Sequence, residues 1–172
     1  YLPSYTAALR RGWSPDNERG LAAAREELER IVISPALFIA SLEDPEAKGP
    51  DIKMPDGSMV PRLPGFRRWM WDGEFCGSIN SRWYHGTAEL PAHVLGHIAY
   101  TVVPGKRRRG DATTALAQML HIARAEGLPH VEISTDHDNI PSQKTILNNG
   151  GTFVRAFDMS AAHGGGRAHL WR

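Results

Sequence analysis

The stretch from Leu95 to Ala123 constrains the fold more than any other part of the sequence. It contains an apolar run, a proline and a basic turn with Gly110, followed by a segment with apolar residues at helical spacing. This order predicts a strand, a loop and the first turn of a helix. The start of a helix carries N–H groups without partners and a partial positive charge. Because the loop adds the guanidinium groups of Arg107–Arg109, the stretch predicts a binding site for a phosphate-bearing ligand.

Length and composition indicate one ordinary globular domain. The chain has 172 residues, of which 41% are hydrophobic, and its net charge of +1 is too small to indicate nucleic-acid or membrane binding. The lone Cys76 cannot form an internal disulfide, which is typical of a reducing compartment. No apolar run approaches the ~20 residues of a membrane helix, and a signal-peptide pattern is absent. We therefore expect a single soluble, cytoplasmic domain over residues 1–172 without a membrane partner.

The first third of the sequence predicts helices and then a long loop. A short helix is expected over residues 4–11, a helix with a Ser-Pro start over 14–33, and a shorter one with the same signal over 34–38. Residues 44–64 are rich in Pro, Gly and Asp and predict an irregular connection. A small Met54–Met59 hairpin around an Asp-Gly pair is expected within it.

The rest of the sequence predicts a hairpin and then alternating strands and helices. Two aromatic-rich runs within residues 66–83 flank Asp72-Gly73, which is a strong hairpin signal. The elements expected next are a strand over 93–103, a helix over 112–126, a strand over 130–135, a helix over 139–148 and strands over 152–157 and 167–172. This order predicts an α/β or α+β sheet with helices on its faces. Strands joined through a helix are expected to be parallel.

The pattern Arg107-x-x-Gly110-x-Ala112 is the sharpest signal in the basic loop. Small residues at 110 and 112 let the backbone approach a diphosphate, and Thr113 adds a hydroxyl. The loop is neither a Walker A motif nor a Rossmann fingerprint, because Gly-Lys-Ser/Thr and GxGxxG are both absent. The alternative is a solvated basic loop that caps an ordinary helix.

Three motifs follow one another along the second half of the chain. They are AYTVVPGKRRRGDATTAL with its Arg/Gln-x-x-Gly-x-Gly/Ala loop, then VEISTD, then DNIPS leading to NNGG. Together they make the chain resemble a GCN5-related N-acetyltransferase (GNAT), and GHIAY and DHDN narrow the resemblance to a subgroup described as predicted acetyltransferases. The resemblance implies a mixed, mostly antiparallel sheet with helices on both faces and a central parallel strand pair splayed at the cofactor site. It also implies one domain, with N-terminal helices and an acceptor-side loop in 1–65 and the cofactor-binding core in 66–172.

The resemblance implies acetyl-coenzyme A (acetyl-CoA) as the co-substrate. By position, the backbone of Val102 and Val103 would bind the pantetheine arm and the acetyl carbonyl. Asn139 would contact the arm and Ser142 would lie beside it, although an Asn here is also a common helix cap. The diphosphate would be cradled by Arg107, Arg108, Arg109, Gly110, Asp111, Ala112 and Thr113. The expected partners of the ribose 3′-phosphate are Lys106, Arg108 and Lys144.

The implied reaction is transfer of acetyl from acetyl-CoA to a primary amine by direct attack in a ternary complex. An alkyl amine with a pKa near ~10.4 is almost entirely protonated at pH 7, so a base or a desolvated pocket must supply its neutral form. Attack on the thioester creates an oxyanion that a backbone N–H on the central strand can stabilise. A small metabolite, an antibiotic-like amine and a peptide N-terminus would all fit as the acceptor.

His97 is the first candidate for the general base, because it precedes the basic loop and its usual pKa suits the task. A core histidine bonded to the backbone is the alternative. Glu132 and Asp136 on the next strand are further candidates, and exposed strand carboxylates are the alternative there. Many family members carry a Tyr acid seven residues after the Asn and an aromatic after the helix, whereas this chain has Ile146 and Gly151.

Two rivals to an acetyltransferase remain open at this point. Ile146 favours a non-catalytic module that senses acyl-CoA. A nucleic-acid binder using residues 106–109 leaves Asn139 unexplained and predicts affinity that falls steeply with salt, so we expect no nucleic-acid partner. The histidines and Cys76 match no compact ligand set, so we expect no metal site. The resemblance leaves a homodimer open, because pairing by terminal strands is common in the family.

Overall fold

The computed structural model describes residues 1–54 and 57–172. The helices are α1 (Leu2–Arg10), α2 (Leu21–Ile33), α3 (Pro35–Ala40), α4 (Asp111–Ala125) and α5 (Ile140–Leu147). The strands are β1 (Glu43–Asp44), β2 (Ile52–Lys53), β3 (Met59–Val60), β4 (Gly65–Trp71), β5 (Phe75–Arg82), β6 (Ile98–Val102), β7 (Ile133–Asp136), β8 (Phe153–Asp158) and β9 (Arg167–Trp171). None of the helices in these two ranges combines the length and apolar character of a membrane span.

The strands pair into antiparallel sheets. One sheet has the order β1-β4-β5-β6, another has the order β7-β9-β8, and β2 and β3 form a separate small hairpin. Within the described residues β6 and β7 share no ladder, so the pair that was expected to splay forms an edge of each larger sheet. The predicted α/β architecture, with helices packed on antiparallel strands, is confirmed.

Helix α4 packs against β4, β5 and β6 and joins the two larger sheets through a common core. Leu116, Met119 and Ala123 lie at the helical spacing indicated by the sequence and are buried. Ile133 and Trp171, which belong to the sheet β7-β9-β8, are part of the same apolar cluster. This core therefore fixes where β6 and β7 lie relative to each other.

Aromatic side chains pack on the other face of β4 and β5. Trp69 alternates with Met70 along β4 and so points away from α4. Tyr5 of α1 stacks on Trp69 with ring centroids 4.5 Å apart, and Phe75 packs edge-on against Tyr5 at 4.9 Å. Trp13 packs edge-on against Phe75 at 4.8 Å. The N-terminal helices are thus held on the sheet by aromatic contacts.

A buried ionic group, which we call the Glu27 cluster, lies beneath these helices and consists of Tyr5, Glu27 and Arg67. The Tyr5 hydroxyl donates to Glu27 Oε2, and Arg67 Nη1 donates to Glu27 Oε1 at 2.6 Å. Burial and the charge of Glu27 both raise the pKa of Tyr5. Since the three residues belong to α1, α2 and β4, the cluster joins both helices to the sheet.

The start of α2 differs from the sequence prediction. The helix begins at Leu21 rather than at Ser14. Asp16 Oδ1 accepts the N–H groups of Glu18 at 2.8 Å and Arg19 at 2.9 Å, which closes a turn instead of starting the helix. The helix start predicted at Ser14-Pro15 is therefore wrong. The side chain of Asp16, which follows the proline, accepts the N–H groups that a helix start would leave free.

Two strands are shorter than predicted. β6 begins at Ile98 rather than at residue 93, because a turn in which the Val94 N–H donates to Pro91 O at 2.9 Å precedes it. β7 begins at Ile133 rather than at residue 130. The expected Met54–Met59 hairpin corresponds to β2 and β3, and its Asp56 lies outside the described residues.

Candidate active site

The site is built around a split between β6 and β7. Just before the two strands start, the His97 N–H donates to Glu132 O at 2.7 Å, and the Glu132 N–H donates to His97 Nδ1 at 2.9 Å. A Cβ on Gly96 would lie 2.9 Å from Glu132 O, so glycine permits this close approach. Along their described lengths the strands then share no ladder. Two strand edges therefore face a gap that opens towards the basic loop.

The edge of β6 leaves backbone groups available in this gap. The Val103 N–H donates to Cys76 O at 2.8 Å, on the β5 side. Because N–H groups alternate in direction along a strand, the N–H of Val102 points to the opposite side, into the gap. Val102 O accepts from Arg107 Nε at 3.4 Å. An extended ligand with amide groups could pair with this edge as a strand would.

The basic loop ends in a helix start without a side-chain cap. Arg108 has a φ of 63° and Gly110 a φ of 89°, and α4 follows at once with Asp111. The Thr114 N–H donates to Gly110 O at 3.0 Å and is the first in the regular helical pattern. The N–H groups of residues 111–113 precede it at the positive end of the helix dipole. This donor set fits the oxygens of a diphosphate.

Two of the four basic side chains are held by the turn between β4 and β5, in an arrangement that we call the Asp72 clasp. Lys106 Nζ lies 2.9 and 3.1 Å from the two carboxylate oxygens of Asp72 and 3.2 Å from Glu74 Oε2. Arg109 Nη1 lies 3.2 Å from Asp72 Oδ2. The hydrogen bond from Lys106 is the main cause that lowers the pKa of Asp72 to about 2.

The remaining basic residues of the cofactor prediction face no such carboxylate. Among the described residues, no acidic group lies within ion-pair distance of Arg107, Arg108 or Lys144. Arg108 and Lys144 are exposed. Lys106 is the predicted 3′-phosphate partner that already has two carboxylate neighbours. Its role with that phosphate stays a prediction.

Helix α5 follows β7 and contacts β6 through the side chain of Tyr100. Asn139 is its N-cap, and its Oδ1 accepts the Ser142 N–H at 3.2 Å, so the helix-cap alternative is what the structure contains. Tyr100 reaches α5 from β6, with its hydroxyl oxygen 2.7 Å from Ser142 Oγ and 3.2 Å from Ser142 O. The Tyr100–Ser142 contact could not be read from the sequence, since the residues lie 42 positions apart.

The candidate bases occupy different places. His97 is 0% exposed, and burial lowers its pKa. Its Nδ1 accepts a backbone N–H, so the core-histidine alternative describes its surroundings. Glu132 lies beside it and pairs with Arg172 at 2.8 Å, whereas Asp136 is exposed at the far end of β7, about 13 Å away along the strand. The structure brings His97 and Glu132 together and separates Asp136, and the catalytic role of each stays a prediction.

Ile146 and Gly151, the two departures from the family pattern, lie against each other. Ile146 is 2% exposed and belongs to the core. A Cβ added to Gly151 would lie 2.3 Å from Ile146 Cγ2, closer than side chains can pack. Ile146 thus fills the space that a side chain at 151 would need.

A groove of about 810 Å³ lies beside the starts of β6 and β7. It is bounded by residues 87–95, the outer face of the sheet β7-β9-β8, and the connection after β8, which includes His163. His163 Nδ1 lies 3.1 Å from Glu18 Oε1, which joins this connection to the segment between α1 and α2. In the part of the chain that is described, no group of three or more His, Cys, Asp or Glu residues is placed to hold a metal ion.

Comparison with known proteins agrees with this geometry. The profile of a family described as an acetyltransferase (GNAT) domain matches residues 58–152, which is more than half of the chain. The comparison with curated proteins found no match to this chain.

Several solved structures share the fold. The microcin C7 self-immunity acetyltransferase MccE, solved with acetyl-CoA and AMP, has a TM-score of 0.58 at 12% identity, over 99% of this chain and 85% of that one. A Vibrio cholerae protein described as a ribosomal-protein-serine acetyltransferase has a TM-score of 0.52 at 13% identity, over 98% and 85%. A Bordetella pertussis protein described as a GNAT-family acetyltransferase has a TM-score of 0.53 at 13% identity, over 99% and 87%.

Proposed function

The chain belongs to the GNAT acetyltransferase family, and we propose that this acetyl-CoA-dependent acyltransferase transfers acetyl to a primary amine by direct attack in a ternary complex. The observation that carries the proposal is the gap between β6 and β7, which opens beside a helix start without a side-chain cap. The helix start suits a diphosphate, and the strand edge suits the amide groups of a pantetheine arm. One elongated ligand with both groups fits both features.

Within this proposal, the residues divide the binding of acetyl-CoA between them. The N–H groups of residues 111–113, with Arg107 and Arg108, receive the diphosphate. Val102 pairs with the arm through its N–H, because the Val103 N–H is already bonded to Cys76. Of the three predicted partners of the 3′-phosphate, Arg108 and Lys144 are exposed and have no acidic partner among the described residues, which favours them over Lys106.

The 810 Å³ groove is the proposed entrance for the amine. It reaches the starts of β6 and β7, next to the proposed path of the pantetheine arm. Its walls include loop residues 87–95 and the connection after β8, which can differ in sequence without disturbing the sheets. This arrangement supports an acceptor that approaches the thioester from the side opposite the basic loop.

The environment of Cys76 favours direct attack over an acetylated enzyme. Cys76 is the one cysteine of the sequence, and it is buried. Burial and a hydrogen bond with Asp72 raise its pKa to about 11, so the nucleophilic thiolate is scarce near neutral pH. A ternary complex needs no such nucleophile, since the amine itself attacks the thioester carbon.

The proposal is tested by measuring thiol release from acetyl-CoA with a panel of primary amines, alongside thermal shifts with each ligand alone and together. We expect acetyl-CoA to raise the midpoint of unfolding, because a ligand that binds only the folded state stabilises it. At least one amine should then produce both thiol and an N-acetylated product. Binding without turnover on any amine would contradict the proposed acceptor class and favour an acyl-CoA sensor.

A further inference from the structure

One face of the sheet β1-β4-β5-β6 carries polar side chains that the proposed cofactor site does not use. Ile79 of β5 and Tyr100 of β6 lie opposite each other and pack against the core around α4. Because side chains alternate between the faces of a sheet, those of Asn80 and Arg82 point to the other face, on which the N-terminal helices pack. This N-terminal face carries the side chains of Arg67, Trp69, Ser78, Asn80, Arg82 and Thr101.

Several polar groups of the N-terminal face are buried without a hydrogen-bond partner. Ser78 is 0% exposed and lies across the strand pair from Thr101, and neither hydroxyl has a partner among the described residues. Trp69, on the other side of Ser78, has an indole N–H that is likewise unpaired in this part of the chain. Protein interiors pair nearly all groups of this kind. Their number on one face favours a surface that receives a polar ligand.

Arg82 brings a positive charge to this face without a close counter-charge. Its side chain is half-buried, and its guanidinium makes no hydrogen bond or ion pair with any residue that the structure describes. Burial is the main cause that lowers the pKa of Arg82, and the charges of Glu18 and Asp16 oppose this shift from beyond ion-pair distance. By contrast, Arg67 on the same face is paired with Glu27. The donors of Arg82 are therefore open to an anionic ligand.

Arg82 lies next to the groove that is the proposed entrance for the amine. Its backbone N–H donates to His97 O at 2.9 Å, and His97 is bonded to Glu132, which lines the groove. Glu18, whose charge acts on Arg82, is paired with His163, which also lines the groove. An acceptor that enters by the groove therefore comes close to this guanidinium.

We infer that Arg82, together with Asn80, binds an anionic group of the acceptor, so that the preferred acceptor is a primary amine that also carries a carboxylate or a phosphate. The inference rests on the proposed function, because it names the acceptor of the same site. A guanidinium can donate two parallel N–H groups to either anion. The Asn80 amide makes no hydrogen bond within the described residues and can add a further N–H. A neutral amine would leave these donors unpaired.

The inference is tested first on wild type, by steady-state thiol release with ω-amino acids of increasing length and the carboxamide of each. The members of such a pair differ in charge and hardly in shape. At least one acid should have a kcat/KM at least about tenfold above that of its carboxamide, because the carboxamide cannot neutralise Arg82. Aminoalkyl phosphates and the matching amino alcohols form a second arm. The arm with the larger preference identifies the anion, and the best length gives the distance between amine and anion.

Variants then assign the preference to Arg82. Arg82→Gln should lower kcat/KM for the anionic acceptor about 10- to 100-fold through KM, and leave neutral amines and the KM for acetyl-CoA within about twofold. Arg68→Gln is the matched control, since Arg68 lies on the opposite face of the same sheet and is paired with Glu43. If Arg82→Gln does not fold, Asn80→Asp carries the same test, because its carboxylate would pair with Arg82 and occupy the anion site.

Equal rates for every acid and its carboxamide, and for every phosphate and its alcohol, would overturn the inference. A preference that persists in Arg82→Gln or in Asn80→Asp would also overturn it. If wild type acetylates no amine, the acceptor proposal fails separately. The anion site is then tested by thermal shifts with N-acetylated ω-amino acids and their carboxamides, of which only the acids should raise the midpoint of unfolding, and only with Arg82 present. Equal shifts for acid and carboxamide would overturn the site.

Discussion

In both the Glu27 cluster and the Asp72 clasp, a carboxylate is paired with cationic side chains, but the two carboxylates differ in burial. Glu27 is 8% exposed and joins two helices to the sheet. Asp72 lies in a surface turn, and it holds Lys106 and Arg109 of the loop proposed to bind the diphosphate. If a buried pair separates, an unpaired charge is left away from water, which costs much free energy. The charges of an exposed pair can separate and take other partners at little cost, because water solvates them. The first is therefore suited to holding the fold and the second to ordering a ligand loop.

The largest expected effect is on the buried side of this comparison. Glu27→Gln should lower the free energy of unfolding by about 3 kcal/mol, because it leaves Arg67 half-buried without a counter-charge. Urea unfolding measures it. Glu26→Gln is the matched control, since Glu26 pairs with Arg19 on the exposed face of the same helix and should change stability little. Equal losses in both variants would remove the distinction drawn from burial.

The next effect tests the loop next to the clasp. Gly110→Val should weaken acetyl-CoA binding at least about tenfold, because valine is strained at a φ of 89° and the helix start would move. Gly127→Val has the same kind of strain, with a φ of 81° at the other end of α4. Titration calorimetry should show normal binding for Gly127→Val despite a similar loss of stability. Unchanged affinity in Gly110→Val would count against the diphosphate site.

A smaller effect is expected from the clasp itself. Asp72→Asn should raise KM for acetyl-CoA about threefold with kcat unchanged, because Lys106 and Arg109 lose the partner that orders their loop. Glu43→Gln breaks an exposed pair with Arg68 away from the loop and serves as the control. A fall in KM would mean that Asp72 competes with the phosphates for these cations instead of ordering them.

The smallest expected effects appear at the extremes of pH. The raised pKa of Tyr5 means that the unfolded chain releases this proton first, so stability is lost as pH rises above about 10. The pKa of Asp72 is lowered on folding, so the unfolded chain binds this proton first. The contribution of Asp72 to stability is therefore lost as pH falls from 3.8 towards about 2. Urea unfolding between pH 8 and 11 should show an alkaline loss in wild type that is smaller in Tyr5→Phe. An identical loss in both would exclude Tyr5 as its source.

Local features of the fold were predictable from the sequence, and contacts between distant residues were not. The hairpin at Asp72-Gly73 and the helices that follow Gly110 and Asn139 depend on a few neighbouring residues, and all are present. The Asp72–Lys106 pair spans 34 positions and the Tyr100–Ser142 contact spans 42. Such contacts depend on how the sheets pack around α4, which spacing along the chain does not specify. For this reason the sequence indicated Asp72 only as a turn residue and did not indicate its ion pair with Lys106.

The contact between Gly151 and Ile146 bears on how this protein can change over evolutionary time. Any side chain at 151 meets Ile146 Cγ2, so position 151 cannot take the aromatic residue common in the family while Ile146 keeps its present place. A first mutation at 151 would be selected against until position 146 became smaller or reoriented. Homologues should therefore vary at these two sites together, and a library that randomises one at a time would miss the working pairs.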